Sequence, residues 1–275
     1  MKKTHPLSLA ALTLLPCSPI EQIEVALKTG FDGVSLRLLP VMDTDVDVMA
    51  DSALQRDIEQ ALADSGLKVF DVEVVRATAE TVVKDLLPVF EFAGSIGAQR
   101  LAVTSGTVDE YGSENQVTVL RRLEELCVAG SRYDVGVMLE FIPYRGIASF
   151  GQALDVVHAV GHPGLAVTVD ALHFFRSGGA VDQISQADPA LLACAQLCDA
   201  PAAPPADLPF EARYGRLFPG EGGLPLDDFV GALPHGLPVC VEIPAANHGG
   251  MSILERARRA ASSAQDALSG AKSAN

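Results

Sequence analysis

The chain has 275 residues, of which 48% are apolar and 20% are charged, and its formal net charge at pH 7 is −15. This apolar fraction excludes a disordered chain, and the excess of Asp and Glu opposes binding to the phosphate backbone of nucleic acids. Five scattered cysteines make no disulfide framework, and no apolar run reaches the roughly 20 residues of a membrane span, so the expected partner is a small-molecule substrate rather than nucleic acid or a membrane.

The first apolar stretch, residues 7–15, follows two lysines and resembles a short signal peptide. Pro6 interrupts the charged region, however, and no cleavage site of small residues follows. Ser18, Pro19 and Glu21 then supply an N-cap, a first-turn proline and the glutamate of a capping box, which together predict the start of a helix. The stretch is therefore predicted to form a buried strand, and the protein to be cytoplasmic.

Short apolar strands alternate with amphipathic stretches along the whole chain. The strands are predicted to begin near Leu9, Gly33, Leu67, Arg100, Gly136, Ala166, Leu192 and Pro238. Between them, apolar residues recur at helical spacing, and glycines mark the helix ends before the next strand, at Gly30, Gly66, Gly97, Gly130 and Gly161. Eight strands alternating with eight helices predict the α/β class and one (β/α)8 TIM barrel domain over residues 1–275. An open doubly wound sheet is disfavoured, because no glycine follows the first strand to form a phosphate loop.

A segment rich in Pro and Gly, at about residues 200–225, breaks this alternation. It contains six prolines between Asp199 and Asp227 and the run Gly-Glu-Gly-Gly at 220–223. A long loop inside a compact domain is more often functional than not. Because it follows the seventh predicted strand, it is expected to cover the catalytic face of the barrel. The alternative is a solvated linker.

Four polar residues stand at the ends of consecutive predicted strands. Side chains of a strand alternate between its two faces, so Val137 and Leu139 lie on one face and Met138 and Glu140 on the other. The same alternation, applied to strands five to eight, predicts that four polar side chains point into the barrel at the carboxyl ends of these strands: Glu140, Asp170, Gln196 and Glu242. Barrel enzymes carry their catalytic groups at this end.

Three carboxylates at one poorly hydrated barrel mouth repel one another unless a cation neutralises them. A divalent ion held by Glu140, Asp170 and Glu242, with the Gln196 carbonyl as fourth ligand, would remove this repulsion. Oxygen ligands favour Mn²⁺ or Mg²⁺ over zinc. The alternative is that one or two of these residues are structural, for example with Asp170 capping a loop.

The strand-end motifs resemble the xylose-isomerase-like barrel superfamily, which holds sugar (phosphate) isomerases and epimerases, AP endonucleases and dehydroshikimate dehydratases. They are LEFIP at 139–143, VDALH at 169–173, QLCDA at 196–200, RLFPGEG at 216–222 and VEIP at 241–244. The resemblance implies that Glu140, Asp170 and Glu242 are metal ligands and that His173 contacts substrate or transfers a proton. Gln196 stands at the position of the fourth metal ligand, where the sugar epimerases usually have His. Some bacterial dehydroshikimate dehydratases have Gln at this position. Gly146 stands where some ketose epimerases carry Glu, which argues against ketose 3-epimerase activity.

This ligand set suits reactions that pass through an enediolate, because a divalent ion stabilises the charge left when a proton leaves the carbon beside a carbonyl. Glu140 and Glu242 on opposite faces of a substrate would allow epimerisation of a small polyhydroxylated carbonyl compound, with His173 as acid or base. A lyase of the 3-dehydroshikimate dehydratase type shares the first step and is the alternative. A non-catalytic sugar-binding barrel is a third hypothesis, and His173 as a purely structural buried histidine remains open.

Further polar residues follow the predicted strands and are candidates for substrate binding. Arginines can bind a carboxylate or phosphate in a forked geometry, although each one alone is more often part of a surface ion pair. The candidates are Arg37, Glu73, Arg76, Tyr144, Arg145, Arg176 and Arg216. The sequence leaves the oligomeric state open, a homo-oligomer included.

Overall fold

Eight parallel strands form a closed barrel in a computed structural model that describes residues 5–42, 45–244 and 249–270. In chain order the strands are β1 Leu7–Ala10, β2 Gly33–Arg37, β3 Lys68–Ala77, β4 Arg100–Ser105, β5 Gly136–Glu140, β6 Leu165–Asp170, β7 Leu192–Leu197 and β8 Val239–Val241. Each strand pairs with the next, and β8 closes the ring on β1 with Leu9 opposite Val241. The predicted (β/α)8 barrel is confirmed. The first apolar stretch forms the predicted strand only over Leu7–Ala10, and Ala11–Thr13 is a short 3-10 helix.

The described part of the chain has ten α-helices where eight were expected, besides four short 3-10 helices. They are α1 Pro19–Thr29, α2 Ser52–Ser65, α3 Leu87–Ser95, α4 Gln116–Gly130, α5 Phe150–Val160, α6 Ala171–Arg176, α7 Asp182–Gln186, α8 Leu208–Tyr214, α9 Leu226–Ala232 and α10 Ile253–Gly270. The connections after β6 and after β7 each hold two short helices. Among these helices, none combines the length and the apolarity that crossing a lipid bilayer requires.

Helix α1 begins and ends where the sequence predicts. The Ser18 side chain accepts the Glu21 N–H while the Glu21 carboxylate accepts the Ser18 N–H at 2.8 Å, which is a complete capping box. Gly30 ends the helix with φ +78°, a left-handed conformation that is costly for residues with a Cβ atom. Gly66 and Gly161 end α2 and α5 in the same way.

Gly130 also ends its helix, α4, but for a different physical reason. Its φ is −62°, and the left-handed turn that follows is made by Asp134 with φ +59°. A Cβ atom at Gly130 would lie 2.2 Å from the carbonyl oxygen of Val135. This glycine is therefore required by the close approach of the returning chain.

The barrel buries two different surfaces. Val137 and Leu139 of β5 belong to the large apolar core, which includes residues from the strands and the surrounding helices. Met138 points the other way, into a small inner cluster with Ala166 and Cys194. This alternation matches the predicted faces and leaves Glu140, two residues after Met138, on the inner side at the strand end.

The segment rich in Pro and Gly packs on the barrel as an ordered structure rather than a solvated linker. The buried Asp199 carboxylate, just after β7, accepts backbone N–H groups of Gly220 and Gly222 at 2.9 Å and of Leu224 at 3.1 Å. Within the segment, α8 carries Glu211, which pairs with Arg176 after β6 at 2.7 Å. These contacts fix the chain that leads to Arg216.

Replacing Asp199 with asparagine is expected to lower the free energy of unfolding by about 1–3 kcal/mol, because buried N–H groups lose an acceptor and meet an amide donor. Urea unfolding measures the loss, and limited proteolysis should cut faster within 200–225. The matched control is Asp182→Asn on the exposed surface of α7, which should leave both measurements unchanged. Equal unfolding midpoints for the two variants would contradict the anchoring role of Asp199.

Candidate functional site

Four polar residues meet at the carboxyl end of the barrel, as predicted. Glu140 ends β5, Asp170 ends β6, Gln196 lies in β7 and Glu242 follows β8. Strand pairing places Asp170 directly opposite Gln196 and Gln196 opposite Cys240, two residues before Glu242. Parallel pairing therefore brings together side chains that are up to about a hundred residues apart in the chain.

The Gln196 amide lies between two carboxylates. One terminal atom of the amide is 2.9 Å from Glu140 Oε1 and 3.2 Å from Asp170 Oδ2. With nitrogen at that position the amide donates to both carboxylates. With oxygen there, three oxygen atoms from three strands face one another, an arrangement that a cation or a proton between them would stabilise.

His173 completes this group of potential ligands. One donor atom from each of Glu140, Asp170 and His173 lies within 4.8 Å of the others, and His173 Nε2 is 3.8 Å from Glu140 Oε1. Burial lowers the pKa of His173 to about 4, although the charge of Asp170 opposes the shift, so the imidazole is neutral at pH 7.

Asp170 has two roles, one of which matches the structural alternative. Its Oδ1 accepts the backbone N–H of His173 at 2.9 Å and caps α6. Its Oδ2 faces the site and accepts a hydrogen bond from Arg216 Nη1 at 2.5 Å. Capping fixes the carboxylate in place without using the oxygen that faces the site.

Arg216 reaches into the site from the segment that Asp199 anchors. Its Nη1 contacts Asp170, its Nη2 lies 3.2 Å from Glu242 Oε2, and its Nε donates to the Ala212 carbonyl at 3.0 Å. Burial works against the charged form, but Asp170 and Glu242 outweigh it and raise the pKa of Arg216. The sequence suggested Arg216 as a substrate contact, whereas its guanidinium lies between two proposed metal ligands.

One guanidinium does not balance the three carboxylates around it. Burial and the charges of Glu242 and Asp170 raise the pKa of Glu140 well above its usual range, and burial raises that of Glu242 to about 7 despite Arg216. Burial also acts against ionised Asp170, but Arg216 lowers its pKa below the ordinary value. The excess of negative charge and the facing oxygen atoms fit a divalent cation. Glu242 lies outside the group of atoms within 4.8 Å and meets Arg216 instead.

Two of the proposed substrate-binding residues are paired with each other. Arg37 Nη2 lies 2.8 Å from Glu73 Oε2, and Arg37 Nη1 lies 3.2 Å from Asp45 Oδ2. Burial opposes the charge of Arg37, but these carboxylates raise its pKa. This buried ion pair lies within electrostatic range of Glu242, and Arg37 Nε has no hydrogen-bond partner.

The remaining candidates lie in different surroundings. Arg176 forms a bidentate, buried pair with Glu211, so its guanidinium anchors the segment after β7. Arg76 is exposed on β3, and Arg145 is half-buried after β5. Tyr144 packs edge-on against the His173 ring with 6.2 Å between ring centroids.

Three carboxylates that hold the arginines and the segment around the site were given no role in the sequence analysis. Asp45 and Glu211 bind Arg37 and Arg176, and neither stands in a motif or at a strand end. Asp199, which anchors the segment leading to Arg216, follows β7 closely. The strand-end rule that found Asp170 would also have found Asp199.

A buried carboxyl lies inside the barrel beneath the site. Asp71 of β3 accepts a hydrogen bond from Ser35 Oγ at 2.5 Å, and Ser35 Oγ is 2.9 Å from Ser8 Oγ. Burial and the neighbouring Glu73 raise the pKa of Asp71 well above its ordinary value. The carboxyl therefore holds its proton to a higher pH in the folded protein than in the unfolded chain.

Asp71→Asn is expected to change the pH dependence of stability. A raised folded-state pKa gives stability that is present below the unfolded value of about 3.9 and is lost as pH rises toward the folded value. The variant lacks this loss of stability. The difference in free energy of unfolding between variant and wild type should therefore rise in favour of the variant by up to about 1.4 kcal/mol per pH unit above pH 4. Urea unfolding from pH 4 to 8 tests this, and parallel curves for the two proteins would contradict the raised pKa of Asp71.

Comparisons with known proteins agree with the fold described above. A family model described as xylose isomerase-like TIM barrel matches residues 23–268. The inosose isomerase of Halalkalibacterium halodurans is 25% identical over 234 residues, which cover 81% of this chain and 80% of that protein.

Two solved structures share the fold. The IolI protein with a bound zinc atom superposes with a TM-score of 0.82 at 20% identity, covering 96% of this chain and 98% of that one. The probable 3-DHS dehydratase AsbF from Bacillus anthracis has a TM-score of 0.73 at 16% identity, covering 92% of this chain and 97% of that one. At these identities the likeness concerns the fold alone.

Proposed function

The chain belongs to the xylose isomerase-like TIM barrel family, and we propose that it is a divalent-metal-dependent isomerase or epimerase of a small polyhydroxylated carbonyl compound. The observation that carries the proposal is the meeting of Glu140, Asp170, Gln196 and His173 at the carboxyl end of the barrel. The inosose isomerase relative supports a cyclic polyhydroxylated ketone as the first substrate to test.

The proposed metal ligands are Glu140, Asp170, Gln196 and Glu242, and the proposed ion is Mn²⁺ or Mg²⁺. Carboxylate and amide oxygens suit these ions, whereas zinc is the ion found in the IolI structure. When bound, a divalent ion stabilises negative charge on the carbonyl oxygen of a substrate.

The protein side chains move the protons. A carboxyl with a pKa near neutrality can both accept and return a proton, and burial raises the pKa of Glu242 to about 7 in the metal-free protein. A bound cation would lower this pKa, so the proton would be released more readily when the ion is held. Glu140 and Glu242 come from strands separated by β6 and β7, so they can act on two faces of one substrate through an enediolate. Neutral His173, beside Tyr144, can hold or transfer the proton of a substrate hydroxyl.

The alternatives share parts of this scheme. A dehydratase would take the same first proton and then expel a hydroxyl group. It receives less support, since the curated relative is an isomerase and the likeness to AsbF concerns the fold. A non-catalytic sugar-binding barrel would have no need for buried carboxyls with raised pKa values.

The proposal is tested by incubating the Mn²⁺-loaded protein in D₂O with an inosose, a panel of ketoses and 3-dehydroshikimate. Deuterium entering an inosose or a ketose without loss of water is the expected result, and it should disappear on metal chelation. A new ultraviolet band with 3-dehydroshikimate would replace the isomerase by the dehydratase. Exchange that persists unchanged after removal of the metal would overturn the metal-dependent mechanism.

A further inference from the structure

Three arginines gather at the mouth of the barrel beside the candidate site. Arg76 lies near the end of β3, Arg145 in the connection after β5, and Arg213 on α8. They come from three separate parts of the chain, yet Arg145 is within electrostatic range of both others. Burial, followed by the charge of Arg76, lowers the pKa of Arg145. Like charges held together in this way cost free energy unless an anion joins them.

These three guanidinium groups lack protein partners in the described ranges. None of them forms an ion pair or a side-chain hydrogen bond there, and Arg145 Nε is buried without a hydrogen-bond partner. Glu110, which is within electrostatic range of Arg76 and Arg145, already accepts the Thr107 N–H at 2.6 Å. By contrast, the other arginines near the site, Arg37, Arg176 and Arg216, all bind carboxylates.

Tyr144 connects this arginine cluster to the proposed catalytic groups. It precedes Arg145 in the chain, its ring packs on His173, and its phenol is within electrostatic range of Glu140, Arg145 and Arg213. The arginine cluster and the proposed metal ligands are therefore both close to one aromatic side chain.

We propose that Arg76, Arg145 and Arg213 form an oxyanion subsite and that the substrate carries a phosphate or a carboxylate at the end remote from its reacting carbonyl. The proposal rests on the proposed function for the identity of the ligand as substrate. Guanidinium groups bind both anions through paired N–H donors, and none of these three guanidinium groups is engaged in an ion pair within the described ranges. With this subsite, a phosphorylated or carboxylated polyhydroxy ketone should exchange faster than the neutral inosose and ketoses, which lack the group that the arginines would bind.

The test measures anion binding without turnover. Isothermal titration calorimetry of the Mg²⁺-loaded protein with inorganic phosphate, and separately with acetate, should show saturable binding with a Kd of about 10 mM or tighter for at least one anion. Arg145→Gln and the double variant Arg76→Gln/Arg213→Gln should weaken that binding at least 10-fold, which is about 1.4 kcal/mol. Arg132→Gln, at an exposed arginine after α4, is the matched control and should bind as the wild type does.

The outcomes separate the two anion sources and the two proposals. Tighter binding of phosphate indicates a phosphorylated substrate, and tighter binding of acetate indicates a carboxylate. Lack of saturable binding to the wild type, or equal affinity in Arg145→Gln, would overturn the subsite. Binding lost in Glu140→Gln but kept in Arg145→Gln would place the anion on the metal and also overturn it. Failure of deuterium exchange would refute the proposed function while leaving the anion titration interpretable.

Discussion

Replacing Glu140 with glutamine is expected to weaken divalent-metal binding at least about 100-fold, since removing even an outer partner of a ligand costs 10–100-fold. Proton exchange should fall about 10³-fold, because the same side chain is proposed to transfer a proton. The metal-free variant should be no less stable than the wild type. Burial and neighbouring carboxylates already raise the pKa of Glu140, so a neutral amide of similar shape relieves repulsion.

Three measurements test this prediction together. Calorimetry with Mn²⁺ gives the affinity, deuterium exchange gives the activity, and urea unfolding without metal gives the stability. Glu124→Gln, at an exposed position of α4, is the matched control and should leave all three unchanged. Full metal affinity in Glu140→Gln would refute the assignment of Glu140 as a ligand, and retained exchange would refute its role in proton transfer.

Replacing Arg216 with glutamine is expected to destabilise the metal-free protein by about 3–5 kcal/mol. Removing one partner of a buried ion pair leaves the other charge without compensation, and here two carboxylates, Asp170 and Glu242, lose the same guanidinium. A divalent cation should restore more stability to the variant than it adds to the wild type, because it neutralises the carboxylates that Arg216 no longer contacts.

Urea unfolding with and without Mn²⁺ measures both effects. Arg259→Gln is the matched control: Arg259 forms a half-exposed surface pair with Glu221, and loss of such a pair costs at most about 1 kcal/mol. A loss in Arg216→Gln no larger than in this control would show that the buried pairs contribute little. An equal gain from Mn²⁺ in the variant and in the wild type would show that the metal and Arg216 act on different carboxylates.

Local interactions made the helix boundaries predictable. The capping box of α1 joins Ser18 to Glu21, three residues on, and Gly30 ends the same helix through its own left-handed backbone. Such signals need no knowledge of the rest of the fold. Gly130 shows the limit, since the position needs glycine because Val135 packs against it after the chain has turned back.

The period of two along each strand predicted which polar residues face the barrel. Once parallel strands were expected, Glu140, Asp170 and Gln196 had to share one end and one face. The structure places them in contact distance of one another, although their metal-binding role remains a proposal. The prediction of their convergence needed only the strand ends and the count along each strand.

The sequence by itself therefore determined the barrel, its helix caps and the inward strand-end residues, because these follow from local spacing and one repeated unit. Only the tertiary structure decided which charges pair. Arg37 with Glu73, Arg176 with Glu211 and Arg216 with Asp170 join residues 36, 35 and 46 positions apart. A long charged side chain binds whichever opposite charge the packed chain brings within reach, and no local pattern encodes that distance. The same packing leaves Arg145 Nε buried without a hydrogen-bond partner among the described residues.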